Sequence, residues 1–135
     1  MPEERVFLDT PLIVYVALQP EDGPYTSFLK DLLNRYSLVI DPLVIDESLY
    51  ILRHKYQLPY KSAIQFLSEV ILPLADITPL TSVEVHRMLH LLQEFGIDPA
   101  DALHAAAAIS ANCSGIVSED RDFDKIPFLK RIWLS

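Results

Sequence analysis

Short apolar segments alternate along this chain with longer segments of helical periodicity. The apolar segments cover residues 6–8, 38–40, 74–77, 115–118 and 131–134. Runs this short, bounded by turn signals, are typical of strands that are buried on both faces. Strands that alternate with helices form βαβ units, in which the strands of the sheet run parallel. The alternation therefore predicts an α/β domain with a mostly parallel sheet that is covered by helices on both faces.

A polar residue followed directly by proline marks three predicted helix starts. The polar side chain can accept a hydrogen bond from the helix N-terminus, and proline is tolerated in the first turn. Gly96 suits the left-handed position at a helix C-terminus. The marked starts are Thr10-Pro11, Asp41-Pro42 and Asp98-Pro99, and helices are predicted over residues 11–18, 25–36, 42–56 and 60–71, from Thr81 or Ser82 to residue 95, and over 99–112.

Length and composition predict a single domain over residues 1–135. Domains commonly hold about 100 to 200 residues, and half of this chain is hydrophobic with only three glycines. The longest apolar run, residues 12–18, is far shorter than the roughly 20 residues of a membrane-spanning helix. The N-terminus lacks the basic flank of a signal peptide. The lone Cys113 cannot form an internal disulfide and is expected to be buried filler. We therefore expect a soluble, cytoplasmic protein without membrane contact.

The formal net charge of −8 argues against a general phosphate-binding surface, because Lys and Arg supply sequence-independent affinity for nucleic acids. This objection weakens if several acids form a metal site, since bound divalent ions reverse the local charge. Two small basic clusters are expected to be ordinary solvated faces. They consist of Arg53, Lys55 and Lys61, and of Lys125, Lys130 and Arg131.

Four acidic residues lie beside or within apolar stretches, where a carboxylate is costly to bury without a compensating charge. Asp9 and Asp120 follow predicted strands, and the carboxyl ends of parallel strands are where ligands bind in such folds. Asp101 falls in the first turn of a helix and Glu47 on an apolar helix face. Asp46 has neighbours that are hardly more polar, so periodicity does not separate it from Glu47. Taken singly, helix capping, the helix dipole or a solvated turn also explains each acid.

His104 follows Asp101 by three residues, a carboxylate-x-x-His spacing that also occurs in di-iron bundles. Such bundles need a second pair of this kind, which the chain lacks, so His104 is expected to pack behind the ligands. Carboxylates held close together repel, and Mg²⁺ or Mn²⁺ relieves that repulsion through oxygen ligands. The chain has no Gly-rich phosphate loop, no Gly-x-Ser-x-Gly motif and no Cys/His zinc spacing. A four-acid site therefore predicts metal-dependent phosphodiester hydrolysis without a protein nucleophile.

In order and context, these segments resemble the PIN domain, especially its small toxin-like (VapC-type) ribonucleases. The resemblance rests on residues 6–10, on Glu47 in a proline-led helix, on the segment Asp101-Ala-Leu-His-Ala-Ala and on residues 115–127. It implies a three-layer α/β/α sandwich and cleavage of an RNA substrate with Mg²⁺ or Mn²⁺. It also implies a homodimer, often inhibited by a small antitoxin protein. Pro11 is a departure, because the family often has Asn or Ser there.

The resemblance also implies roles for individual residues, and it prefers Glu47 to Asp46. Asp122 shares or replaces the role of the last acid as an alternative ligand. Ser118 matches a small hydroxyl residue that often lines the family's site. The implied catalytic and metal-binding residues are Asp9, Glu47, Asp101 and Asp120, with Thr10, Ser118 and His104 supporting them.

Two other functions are alternatives to a nuclease. A haloacid-dehalogenase-like phosphatase also begins with a strand that ends in Asp, but it needs Asp-x-Asp there, and Asp9-Thr10-Pro11 lacks the second Asp. A catalytically silent PIN-like module for protein interaction is the non-enzymatic alternative, in which the acids serve only as caps and turns.

Overall fold

A computed structural model describes residues 4–19 and 21–134 of the chain. Its sheet has the strand order β3-β2-β1-β4-β5, and every neighbouring pair is parallel. The predicted parallel α/β sheet is confirmed. The strands are β1 (Arg5–Leu8), β2 (Ser37–Ile40), β3 (Ala75–Ile77), β4 (Gly115–Val117) and β5 (Lys130–Ile132).

Helices connect the strands in the predicted alternation. A wider π-helical turn, Leu67–Ile71, continues the fourth helix, and a 3₁₀ turn, Arg121–Lys125, lies between β4 and β5. No helix in the described part of the chain has the length and apolarity needed to cross a membrane. The helices are α1 (Thr10–Leu18), α2 (Pro24–Arg35), α3 (Pro42–His54), α4 (Tyr60–Phe66), α5 (Ser82–Phe95) and α6 (Pro99–Ser110).

The helix ends follow the predicted caps with two exceptions, at α6 and α1. At α6, Asp98 has the extended backbone of an N-cap, but its side chain makes no cap hydrogen bond. The prediction that Thr10 caps α1 is wrong, because Asp9 has the extended backbone of an N-cap and its side chain accepts from the Thr10 amide. That bond moves the helix start back by one residue. Thr81 forms a capping box at α5, and Gly96 ends that helix in the left-handed region at φ 66°.

The helices cover both faces of the sheet, which confirms the α/β/α sandwich. The chain steps from β1 to β2 to β3 in one direction and returns from β3 to β4 in the other. Because crossover connections are right-handed, α1–α4 lie on one face and α5 and α6 on the other. Consecutive alanines of α6 are fully buried, which lets that helix approach β1 and β4 closely. Gly115 is required on β4, because a Cβ there would lie 2.6 Å from the Lys130 carbonyl oxygen.

The central strands carry the core. Apolar residues of β1, β2 and β4 are almost completely buried, and Cys113 is buried as expected, with its thiol pKa raised to about 11 by burial. After β1 the chain turns towards β2, and after β4 it turns towards β5. The connections therefore diverge at the carboxyl ends of β1 and β4, which leaves a crevice of the kind that binds ligands in open α/β sheets.

Candidate metal centre

An open cleft of about 480 Å³ lies at the carboxyl ends of the central strands. The structure brings all four predicted acids to its lining, although they come from four separate parts of the chain. Apolar and aromatic side chains form much of the remaining wall. The lining residues are Asp9, Thr10, Pro11, Val14, Tyr15, Glu47, Ile51, Lys55, Tyr56, Asp101, Glu119 and Asp120.

Asp9 is held in place at the end of β1. Its backbone amide donates to the Val117 carbonyl at 3.0 Å, so the pairing of β1 with β4 continues to this residue. Its side chain accepts from the Thr10 amide at 2.9 Å and from the Ser118 hydroxyl at 2.7 Å. Burial raises the pKa of Asp9 and the Glu47 charge adds to this, against the opposing effects of His104, Ser118 and Thr10. The fold therefore orients a carboxylate whose charge is under-compensated.

Asp101 and Asp120 complete an aspartate cluster with Asp9. Asp101 lies in the first turn of α6, and Asp120 follows β4. Burial, then the negative charges of Asp9 and Asp120 and a hydrogen bond to Asp120, raise the pKa of Asp101 to about 7. Ser118 orients this side of the cluster as well, because its hydroxyl accepts from the Asp120 amide at 3.1 Å. The aspartate cluster, Asp9, Asp101 and Asp120, is thus only partly compensated, because His104 Nε2 lies 3.8 Å from Asp9 Oδ1 but does not offset the rise in the pKa of Asp101.

Glu47 has the opposite electrostatic environment. Its Oε1 accepts from the Thr10 hydroxyl at 3.0 Å and from His104 Nε2 at 2.6 Å. Burial works to raise the pKa of Glu47, but the hydrogen bonds and charge of His104 and the Thr10 bond bring it below its ordinary value. Asp46, its rival in the sequence pattern, is exposed on α3 and is not part of the cleft lining.

Asp41 is a site residue that sequence reasoning missed. Its Oδ1 caps α3 by accepting from the Val44 amide at 2.9 Å, as the Asp-Pro pattern indicated. Its Oδ2 accepts from His104 Nδ1 at 2.8 Å, and both side chains are almost completely buried. A buried histidine needs a partner for each ring nitrogen, but nothing in the sequence links positions 63 residues apart. Only the tertiary structure, which brings His104 of α6 to the start of α3, shows that Asp41 serves two purposes.

His104 is a cation that supports the site from behind. Both ring nitrogens face carboxylates, which accept but do not donate, so both must carry a proton. Burial lowers the pKa of His104, but Asp41 and Glu47 outweigh it and raise the pKa to about 10. Nitrogen and oxygen atoms of His104, Asp9 and Glu47 lie within 4.8 Å of one another, a spacing that suits a metal ion. A doubly protonated ring has no lone pair to give, so in this arrangement His104 does not ligate.

Asp122, the alternative fourth acid, lies apart from the cluster. Its side chain pairs with Lys125 at 3.4 Å, and it is not among the residues that line the cleft. Its backbone amide donates to Asp120 Oδ1 at 2.9 Å, which helps to hold the Asp120 side chain. The structure therefore places Asp120, and not Asp122, beside Asp9 and Asp101.

Comparison with known proteins establishes the family. The PIN domain profile matches residues 6–129, which is nearly the whole chain. The chain belongs to the PIN domain family. A comparison of this PIN domain with curated protein sequences finds no match.

Solved structures share the fold of this PIN domain. VapBC2 from Rickettsia felis, bound to a promoter DNA fragment, has a TM-score of 0.75 at 22% identity over 97% of this chain and 99% of that one. VapC20 from Mycobacterium tuberculosis, described as a Sarcin-Ricin loop cleaving toxin, has a TM-score of 0.69 at 14% identity over 93% and 97%. FitAcB from Neisseria gonorrhoeae has a TM-score of 0.69 at 20% identity over 94% and 96%. At these identities the likeness shows the common fold.

The residues present fit a hard divalent cation. The aspartate cluster and Glu47 offer carboxylate oxygens, which Mg²⁺ and Mn²⁺ prefer over nitrogen or sulfur. Burial and the charges of Asp9 and Asp120 raise the pKa of Asp101, and a cation among the carboxylates would relieve that repulsion. The chemistry of the donor set therefore agrees with a magnesium or manganese site.

Proposed function

We propose that this PIN domain is a Mg²⁺- or Mn²⁺-dependent endoribonuclease that hydrolyses RNA phosphodiester bonds as the toxin of a toxin–antitoxin pair. The observation that carries the proposal is that Asp9, Glu47, Asp101 and Asp120 line one cleft, although they come from four separate parts of the chain. Membership of the PIN family supports the nuclease activity. RNA as the substrate is supported by the neighbour described as a Sarcin-Ricin loop cleaving toxin.

In this mechanism Asp9, Asp101 and Asp120 would hold the ion, with Glu47 as the fourth carboxylate. When bound, the ion lowers the pKa of a water molecule and stabilises negative charge on the phosphate. Ser118 orients Asp9 and Asp120 together, since its one hydroxyl bonds to both residues. A cation bound beside Asp101 would favour the ionised form of its carboxyl group, whose pKa burial and the charges of Asp9 and Asp120 raise in the empty site.

The proposal includes a homodimer and a small antitoxin partner. Structures similar in fold include VapBC2 from Rickettsia felis and a toxin–antitoxin complex from Klebsiella pneumoniae, which support an antitoxin partner for this chain. The dimer is an expectation from the family. Light scattering on the purified protein tests it, and a monomeric mass at micromolar concentration would contradict it.

The decisive test compares Asp101→Asn with Asp98→Asn. Both changes remove one charge from the start of α6, but Asp98 is exposed and outside the cleft lining. Wild type and Asp98→Asn should cleave RNA with Mg²⁺ or Mn²⁺ and stop on chelation. Asp101→Asn should fold, as judged by circular dichroism, and lose at least about a hundredfold in rate, as is common when a group that stabilises transition-state charge is removed. An Asp101→Asn enzyme as fast as wild type would refute the site.

A catalytically silent interaction module is the second candidate. The charge of the cleft favours this alternative, because the described lining holds five acids and a single lysine. Without bound metal, such a surface binds RNA poorly. Equilibrium binding of Mn²⁺, followed by calorimetry, separates the two. The nuclease requires binding that Asp101→Asn abolishes, whereas a silent module gives no heat of binding in either protein.

A further inference from the structure

The cleft has an acidic floor and partly aromatic walls. Tyr15 on α1 and Tyr56, just after α3, both line it beside the aspartate cluster. They are also close to each other, because the Tyr56 charge contributes to the raised pKa of Tyr15. Neither ring is needed to hold a metal ion. Their place in the cleft therefore calls for another explanation.

Tyr15 is a fixed ring. It stacks on Tyr25 with a centroid distance of 4.6 Å and an interplanar angle of 29°. Its hydroxyl donates to Glu119 Oε1 at 2.5 Å, and this bond, burial and the Glu119 charge raise its pKa to about 12. The phenol is therefore neutral and immobilised at neutral pH. A ring that is held before binding loses little entropy when a second flat group stacks on it.

Tyr56 is a more open ring with a cation over one of its two faces. It is 38% exposed, and the Lys55 ammonium lies 5.4 Å from its centroid. Among the described residues that line the cleft, Lys55 is the single cation and five side chains are carboxylates. An aromatic ring with an adjacent lysine can take both a base and a neighbouring phosphate of one nucleotide.

The charge balance of the cleft decides what these rings do. Proteins usually hold nucleic acid through several Lys or Arg contacts to phosphate, and this cleft offers one. Base stacking on aromatic rings is an alternative source of affinity that does not depend on positive charge, and it requires unpaired bases. We propose that Tyr15 and Tyr56 are stacking surfaces for unpaired bases of RNA beside the cleaved phosphate, with Lys55 as the phosphate contact. This inference rests on the proposed ribonuclease function.

The test measures RNA binding for leucine and phenylalanine variants of both tyrosines. Fluorescence anisotropy of a labelled single-stranded RNA is recorded with Mn²⁺ in an otherwise wild-type background. The RNA carries phosphorothioate linkages, which resist hydrolysis, so that it stays intact. Tyr15→Leu and Tyr56→Leu should each weaken binding about 5- to 150-fold, the range for loss of one stacked base. Tyr15→Phe and Tyr56→Phe keep the ring and should keep the affinity. Tyr50→Leu, at an exposed α3 tyrosine outside the cleft lining, is the matched control and should bind normally.

Two further arms test the chemistry of the contact. Removing single bases from the RNA should weaken binding to the background protein and have little effect on the leucine variants. Lys55→Gln should lower the slope of log affinity against log salt by about 0.7, the value for one phosphate on a single strand. Lys61→Gln, at an exposed lysine outside the cleft lining, should leave the slope unchanged.

The outcomes distinguish this inference from the proposed function. If wild type cleaves RNA and both leucine variants bind it as well as their parent, the stacking role is overturned and the rings belong to a protein contact. If wild type does not cleave, the ribonuclease fails, and the binding series still decides whether the rings stack on bases. In the active enzyme the leucine variants should raise KM with little change in kcat, because they remove binding that is remote from the reacting phosphate.

Discussion

The acidic residues of the cleft fall into two groups that differ in how their charge is compensated. Glu47 bonds to the buried His104 cation, which Asp41 holds from the other side, and its pKa lies below the ordinary value. In the aspartate cluster, burial raises the pKa of Asp9 and of Asp101 despite the nearby His104. His104 thus bonds directly to Glu47, lies 3.8 Å from Asp9 and leaves the charges of the aspartate cluster only partly compensated. We propose that a cation from solution completes this compensation.

Breaking the compensated group should have the largest effect on stability. His104→Leu leaves the carboxylates of Asp41 and Glu47 without their common cation, and removal of one partner of a buried ion pair costs about 3–5 kcal/mol. Urea unfolding at pH 7 measures the loss. His90→Leu is the control, because His90 is an exposed histidine on α5 that pairs with an exposed glutamate, and it should change stability by under about 0.5 kcal/mol. If the two changes lower stability equally, the buried contacts of His104 with Asp41 and Glu47 do not stabilise the fold.

Supplying the missing cation to the aspartates should have the next largest effect. An ion that binds only the folded state stabilises it by about 2.7 kcal/mol at a hundredfold excess over its dissociation constant. Mn²⁺ should therefore raise the free energy of unfolding of wild type, and Asp101→Asn should lose most of that gain. Asp98→Asn should respond as wild type does. The contrast between the groups fails if Asp101→Asn is stabilised by Mn²⁺ as strongly as wild type.

A change of pH should alter the stability contributions of Asp101 and Glu47 in opposite directions. The pKa of Asp101 is about 7 in the folded protein against 3.8 for an ordinary Asp, so the folded state binds more protons between these values. The contribution of Asp101 to the stability of the metal-free protein should therefore fall as pH rises from about 4 to 7. Glu47 has the opposite effect. Because its pKa is lowered in the folded protein, its stabilising contribution is lost as pH falls. With chelator present, Asp101→Asn should melt above wild type at pH 8, and the gap should close towards pH 5. A gap independent of pH would contradict the charge assignment.

Much of the fold could be predicted because local signals and the sheet agree. The apolar segments at residues 6–8 and 38–40 lie within β1 and β2, and the Asp-Pro signal starts α3 where expected. The error at Thr10 is also informative. A hydroxyl and a carboxylate can each cap a helix, and Thr10 instead bonds to Glu47, a partner 37 residues away. A local sequence pattern cannot show which of Asp9 and Thr10 caps the helix, because the choice depends on a distant partner.

The site was predictable only in outline. The positions of Asp9 and Asp120 after strands and of Asp101 at a helix start indicated one sheet edge, since parallel strands end together. The choices between Asp46 and Glu47 and between Asp120 and Asp122 stayed open in the sequence, because adjacent helical and turn residues have similar neighbours. The cleft includes Glu47 and Asp120 and leaves the other two outside.

By itself the sequence determined the alternation of strands and helices, their parallel sheet and the acids that end the strands, because these depend on periodicity and capping within short segments. The tertiary structure alone decided which carboxylates share a cation and which repel one another. Charge compensation depends on distances of a few ångströms between residues far apart in the chain, such as Asp41 and His104 at 2.8 Å. The aromatic wall arose in the same way, since Tyr15 and Tyr56 meet only when α1 and α3 pack on one face of the sheet.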